Sequence, residues 1–121
     1  GRYEDKVDNQ FYWYIRPQET GNKTDVRWLA LLNSEGEGVK ITGLQPIAFS
    51  ALHFSPEDLD PGLTRKLQHT IDIVPQKNIF LHVDLKQRGL GGDNSWGMYP
   101  HNKYRLLDKK YVYSYMIELI D

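Results

Sequence analysis

The sequence lacks cysteine, an excess of either charge and any long hydrophobic run. Without cysteine, disulfide bonds and thiol catalysis are excluded, although the compartment stays open because many secreted proteins also lack cysteine. Fifteen basic and sixteen acidic side chains give a formal charge of −1, so there is no electrostatic reason to expect nucleic acid as a partner. No apolar stretch approaches the ~20 residues that span a bilayer, and we expect no membrane partner.

Short stretches of alternating apolar and polar residues run through the 121-residue chain and predict strands rather than helices. Because proline cannot donate to a strand ladder, Pro17 and Pro46 are expected to end or separate strands. Trp13 and Trp28 fall on predicted strand faces, where core packing is favoured over ligand contact. The predicted strands cover residues 11–16, 25–33, 39–44, 47–54, 79–86, 104–107 and 111–120. This pattern is typical of an antiparallel β-sandwich.

One brief helix is predicted after Ser55, because Ser55 can cap it, Pro56 suits its first position and Asp58 completes a capping box. Residues 1–121 are expected to form a single domain, with residues 1–10 as a linker or frayed start. The chain begins at Gly1 without a methionine, so we expect it to be a piece of something longer.

A glycine-rich segment at residues 89–97 reads Gly-Leu-Gly-Gly-Asp-Asn-Ser-Trp-Gly. Glycine reaches positive φ without steric cost, and short polar side chains such as those of Asp93 and Asn94 hydrogen-bond their own backbone. The segment therefore predicts a compact loop that carries Trp96 at its tip. Trp96 either fills a gap beneath the loop or provides a flat platform for a ligand.

No residue is singled out as catalytic or metal-binding. Acid–base catalysis by carboxylates needs positioned carboxylic acids, and no aspartate or glutamate lies in a motif that would identify a catalytic pair. The four histidines lack the spacing of convergent zinc ligands, and we interpret them as hydrogen-bonded sheet or surface residues. They are His53, His69, His82 and His101.

The glycine-rich segment, preceded by IFLHVDL at residues 79–85 and followed by PHNKYRL at 100–106, resembles the extreme C-terminus of family 2 β-galactosidases. Two earlier segments agree with that family, YIRPQETGNKTDVRW at 14–28 and SALHFSPED at 50–58. The resemblance implies the later part of a galactose-mutarotase-like supersandwich. A sandwich that lacks its first strands is expected to expose an unpaired edge or an apolar face.

For function, the resemblance implies the C-terminal part of a β-galactosidase that acts on lactose-type substrates. Both catalytic glutamates then lie in a barrel domain outside this chain, which itself binds no cofactor. The resemblance leaves room for magnesium and sodium ions at the barrel site. The implied partners are a β-galactoside and the remaining domains of a parent enzyme, which is expected to be a homo-oligomer.

At the glycine-rich loop, the resemblance implies that Trp96 reaches into the barrel's pocket and forms part of its sugar-binding wall. Gly91, Gly92, Asp93 and Asn94 would support the loop. Two alternatives stay open, a free-standing carbohydrate-binding module and a purely structural domain that supports the barrel or an oligomer interface.

Overall fold

A computed structural model describes residues 1–60, 62, 69–94 and 96–121. The regular structure in these residues is mostly β, with one short α-helix, so the predicted all-β class is confirmed. The strands are β1 (Lys23–Leu32), β2 (Gly38–Leu52), β3 (Phe80–Asp84) and β4 (Tyr115–Ile120), the helix is α1 (Pro56–Leu59), and 3-10 turns occupy Val7–Gln10, Thr70–Asp72 and Asn102–Tyr104.

The four strands form one sheet in which β2 is central. Its order is β1-β2-β3, and β4 pairs antiparallel with the first part of β2 so that Gly38 lies opposite Ile120 and Gly43 opposite Tyr115. The second sheet of a sandwich stays a prediction.

The turn between β1 and β2 is organised by Asn33. Its side-chain oxygen accepts the backbone N–H groups of Glu35 at 2.9 Å and Glu37 at 3.0 Å, and Gly36 supplies the positive φ of 86° that this turn requires. The chain therefore reverses between β1 and β2 at residues 33–37.

Prediction was wrong about Pro46, which lies inside β2 instead of dividing it into two strands. The reason is that regular pairing with β4 ends at Gly43. Beyond that point the Gln45 side chain takes over, since its amide nitrogen donates to the Ser114 carbonyl at 3.2 Å and its oxygen accepts the Ser114 N–H at 3.1 Å. Pro46 lies beyond the end of the β2–β4 ladder, so its missing N–H interrupts no pairing with β4.

The strands predicted at 11–16 and 104–107 are also wrong. In residues 11–16 the Tyr12 and Tyr14 rings pack against each other, with their centroids 4.6 Å apart. The Tyr14 carbonyl accepts the Thr70 hydroxyl, and the Ile15 carbonyl accepts the Thr70 N–H. Tyr104 ends a 3-10 turn. Local alternation predicted these strands, and tertiary contacts override it.

The chain divides into two compact units. Unit 1 comprises Gly1–Lys23 and Phe49–Val83, and unit 2 comprises Thr24–Ala48 and Asp84–Asp121. Whether residues 1–121 behave as one domain stays a prediction.

Unit 1 contains a cluster of buried apolar side chains, formed by Phe11, Leu52, Phe54, Leu59 and Ile73. Leu59 of helix α1 packs in this cluster. The predicted capping box of the helix is confirmed. The Ser55 hydroxyl accepts the Asp58 N–H at 3.2 Å, while the Asp58 carboxylate accepts the Ser55 N–H at 2.8 Å and the Gln76 side-chain amide at 2.6 Å. Burial raises the pKa of Asp58, but these hydrogen bonds together outweigh burial and hold it below its ordinary value.

Unit 2 buries Leu29, Ile41, Ile47 and Ala48, but leaves most of β4 exposed, including Leu119 at 80%. The expected exposed apolar face is therefore found on β4. No helix in the described part of the chain is long and apolar enough to cross a membrane.

The core positions predicted for two tryptophans are wrong. Trp13 is 59% exposed and Trp28 is 43% exposed. Trp13 is not on a strand, so the alternation that placed it inside does not apply. Trp28 is on β1, where the Lys40 ammonium lies 5.5 Å from its ring centroid, an arrangement suited to a face open to water.

Candidate functional site

The candidate site is the loop that carries Trp96, in unit 2. The indole is 85% exposed, so the loop displays Trp96 instead of tucking it beneath itself. The sequence pattern leaves both alternatives open, and the family resemblance favours the exposed one. Ser95, which precedes Trp96, lies outside the described residues.

A single side chain organises the backbone around Trp96. The Asn94 side-chain oxygen accepts the N–H groups of Trp96 at 3.2 Å, Gly97 at 3.2 Å and Met98 at 3.4 Å. An asparagine that bonds the backbone just after itself acts as a turn template. Three N–H donors on one acceptor hold the backbone of residues 96–98 in a bend.

His101 connects the segment that follows Trp96 to the residues that precede it, Gly91 and Asp93. Its backbone N–H donates to the Gly91 carbonyl at 2.8 Å, and its Nε2 lies 2.9 Å from Oδ1 of Asp93. Since a carboxylate accepts hydrogen bonds, Nε2 is the donor. Asp93 thus fixes the loop by accepting a hydrogen bond from His101. Sequence reasoning missed this role for His101 because no local pattern links two residues eight positions apart.

Gly91 is needed for space, and Gly92 is tightly packed, whereas the positive φ that the sequence suggested is not found at either. Among the described residues, only Gly21, Gly36 and Gly62 are glycines with positive φ. A Cβ on Gly91 would lie 2.4 Å from Cε2 of Tyr104, and one on Gly92 would lie 3.3 Å from Cα of Pro100.

Tyr104 therefore supports the loop through contacts with Gly89 and Gly91. Its ring packs against Gly91 at a distance that no side chain would permit, and its carbonyl accepts the Gly89 N–H at 2.8 Å. This residue was assigned to a strand from sequence, and its supporting role was missed. The two glycines at 89 and 91 both pack against Tyr104, and their close spacing was the only signal in the sequence.

The loop offers an apolar platform with polar surroundings, and its ionisable pair is already engaged. Asp93 and His101 bond each other, and the Arg105 guanidinium lies 4.9 Å from the Tyr99 ring centroid. In the described residues, no three histidine, aspartate or glutamate side chains group together as metal ligands. Such a surface suits contact with the C–H face of a polar ring compound, because a flat aromatic covers that face while neighbouring groups bind its hydroxyls.

Comparison with known proteins locates this chain among β-galactosidases. The family model described as the β-galactosidase small chain matches residues 1–117. The chain is similar to a β-galactosidase of Priestia megaterium (38% identity, covering 86% of this chain and 10% of that protein). It is also similar to β-galactosidase BgaC of Bifidobacterium adolescentis (36% identity, 77% of this chain and 9% of that protein).

A β-galactosidase of Streptococcus thermophilus is matched at 32% identity over 98% of this chain and 11% of that protein. The chain thus spans about a tenth of the length of these relatives. Because the family model extends over nearly all 121 residues and includes the whole Trp96 loop, the chain belongs to the β-galactosidase small-chain family.

Proposed function

We propose that this chain is the C-terminal part of a retaining β-galactosidase that removes terminal non-reducing β-D-galactose from lactose-type substrates. Its role is to supply one wall of the substrate site, while the catalytic carboxylates belong to a barrel elsewhere in the parent chain. The observation that carries the proposal is Trp96, an indole 85% exposed on a loop whose backbone is held by Asn94. Membership of the small-chain family supports the assignment.

The expected gain from stacking is large enough to matter for binding. Covering on the order of 100 Å² of apolar surface contributes roughly 2.5 kcal/mol at ~25 cal/mol per Å². Nearly all of the Trp96 side chain is free to be covered in this way. Because the loop is already curled by Asn94, little ordering cost opposes the contact.

Steady-state kinetics on the full-length enzyme test this role. Trp96→Ala is expected to raise KM for lactose by about 10- to 100-fold, at about 1.4 kcal/mol per tenfold. A smaller fall in kcat is expected, because the indole transfers no proton and stabilises no developing charge. Leu90→Ala is the matched control, since Leu90 is also 85% exposed and lies in the same loop. It should leave KM unchanged.

A thermal melt of the same variants separates binding from support. Under the proposal, Trp96→Ala and the wild type unfold at closely similar temperatures. An unchanged KM with a lowered melting temperature would identify Trp96 as a structural residue, and the chain as a domain that supports the enzyme without contacting substrate.

A further inference from the structure

Unit 1 contains a cleft that is not part of the Trp96 loop. Its volume is about 120 Å³, and it is lined by the rings of Phe11, Trp13 and Phe54, by Asp8 and His53, and by two aliphatic side chains. Phe11 and Phe54 are buried and form the inner side, whereas Trp13 keeps 59% of its surface exposed. The cleft therefore combines an open indole with one carboxylate and one imidazole.

The hydrogen bonds of His53 determine which ring nitrogen carries the hydrogen when the imidazole is neutral. Its Nδ1 lies 2.9 Å from the Gln76 carbonyl oxygen and 3.1 Å from that of Asn78. Carbonyl oxygens only accept, so Nδ1 carries the hydrogen. In the neutral ring, Nε2 is then a hydrogen-bond acceptor.

Nε2 of His53 and Oδ1 of Asp8 are 3.7 Å apart. That separation is too long for a hydrogen bond between them, and in the neutral state of the imidazole both atoms are acceptors. They are close enough, however, to be bound by two adjacent hydroxyl groups of one ligand, each donating to one acceptor. A pyranose presents vicinal hydroxyls along its edge and a C–H face that can pack on an aromatic side chain.

The size of the cleft limits the ligand to a single ring. Pockets for drug-sized molecules enclose roughly 300–1,000 Å³, whereas this cleft encloses about 120 Å³. One edge of a sugar ring fits such a space, with the rest of the ring over the indole. An oligosaccharide would have to extend outside it.

The main rival ligand is a quaternary ammonium ion, because aromatic rings and a carboxylate also form cation-binding cages. The orientation of His53 decides against it. A quaternary ammonium has no hydrogen to donate, so it would form no hydrogen bond with Nε2 of His53 or with Oδ1 of Asp8.

We propose that the Trp13 cleft is a second sugar-binding site, which takes one pyranose through stacking on Trp13 and through two vicinal hydroxyls bonded to Asp8 and His53. The site does not depend on Trp96 and carries out no chemistry. In a lactose-cleaving enzyme it would hold a monosaccharide or the end of a glycan away from the catalytic centre.

Fluorine NMR on the full-length protein tests the site, with fluorotryptophan incorporated at position 13 alone and D-galactose as the probe. The resonance should shift saturably, with a dissociation constant on the order of millimolar, as expected for one sugar ring in a shallow site. Asp8→Asn should weaken binding by about tenfold, because it replaces a charged acceptor by a neutral one. Glu4→Gln removes the same charge outside the cleft and should change nothing.

Two further measurements make the outcome decisive. The response at position 13 should persist in a Trp96→Ala background, which separates this site from the proposed substrate wall. Tetramethylammonium chloride should produce no saturable shift. A resonance that does not respond to galactose, that responds to tetramethylammonium instead, or that loses its galactose response with Trp96→Ala would overturn the proposal.

Discussion

Two exposed tryptophans, Trp13 in unit 1 and Trp96 in unit 2, are supported in opposite ways. Trp13 rests on rings, since its centroid lies 5.0 Å from that of Phe11 and 6.4 Å from that of Phe54. Trp96 is held through its backbone, whose N–H donates to the Asn94 side chain. One indole is an extension of an apolar core, and the other is carried by a loop.

The difference shows that exposure alone does not reveal what a tryptophan does. A side chain packed on a core contributes to folding even when most of it is open to water, because the covered part is removed from solvent. A side chain displayed by a hydrogen-bonded loop contributes little to folding and is free to contact a ligand. Stability measurements should therefore separate the two residues before any ligand is added.

The largest expected effect is the contrast in unfolding free energy between Trp13→Ala and Trp96→Ala. Truncating a fully buried tryptophan costs about 3–5 kcal/mol, and Trp13 is 59% exposed, so we expect a loss of about 1.5 kcal/mol. Trp96→Ala should change the unfolding free energy by less than about 0.5 kcal/mol, as is usual for surface positions. Denaturant unfolding of the full-length protein measures both.

Trp13→Phe is the control for this contrast, because it keeps an aromatic ring against Phe11 and should recover most of the lost stability. Equal destabilisation by the two alanine substitutions would remove the distinction between the two residues and would make Trp96 part of a packed structure.

A smaller effect is expected from the residue that holds the Trp96 backbone. Asn94→Ala removes the acceptor of three N–H groups, so the loop loses its preferred conformation and must be ordered on binding. We expect KM for lactose to rise by about three- to tenfold, with little change in the thermal melt because the freed N–H groups reach water. Asn94→Asp keeps the side-chain acceptor and should restore KM. Failure of Asn94→Asp to do so would show that the loop does not depend on that acceptor.

The smallest expected effect is the response of unit 1 to acid. Hydrogen bonds hold the pKa of Asp58 below its ordinary value, so the stability that they contribute is present above about pH 4, the range of an unperturbed aspartate. That contribution is lost as the pH falls through the lower, folded-state value. Because Asp58 is partly solvated, we expect a loss of only a few tenths of a kcal/mol.

Unfolding curves between about pH 5 and pH 2 measure this loss, with Asp58→Asn as the variant that cannot titrate. Asp60→Asn, two residues later, is the control and should retain the wild-type acid dependence. Identical pH profiles for wild type and Asp58→Asn would show that the capping carboxylate does not couple to folding.

Local features were predicted from sequence where the physical cause is itself local. The capping box of Ser55 and Asp58 forms within four residues, and the turn template of Asn94 acts on the residues that directly follow it. The loop at Trp96 was predicted from its glycine and short polar residues, but its composition left open whether the indole is buried or exposed, and only the family resemblance favoured exposure. Whether Trp96 contacts a sugar stays a prediction.

Other features depended on partners distant in the chain, and alternation misled the prediction there. Residues 11–16 have the pattern of a strand, but the Tyr14 and Ile15 carbonyls bond Thr70 and the Trp13 ring meets Phe54. Pro46 is predicted to break the strand because it lacks an N–H, yet the strand continues through it, and the neighbouring Gln45 side chain bonds the Ser114 backbone. In each case the deciding contact joins residues tens of positions apart.

The sequence by itself determined the strand-rich class, the helix cap and the loop that carries Trp96, because turn chemistry and side-chain periodicity act over a few neighbouring residues. Tertiary structure alone decided that Gly91 makes room for Tyr104, that His101 fixes the loop and that Asp8 and His53 share a cleft with Trp13. These arrangements need chain segments to meet in space, and no short-range pattern specifies which segments will do so.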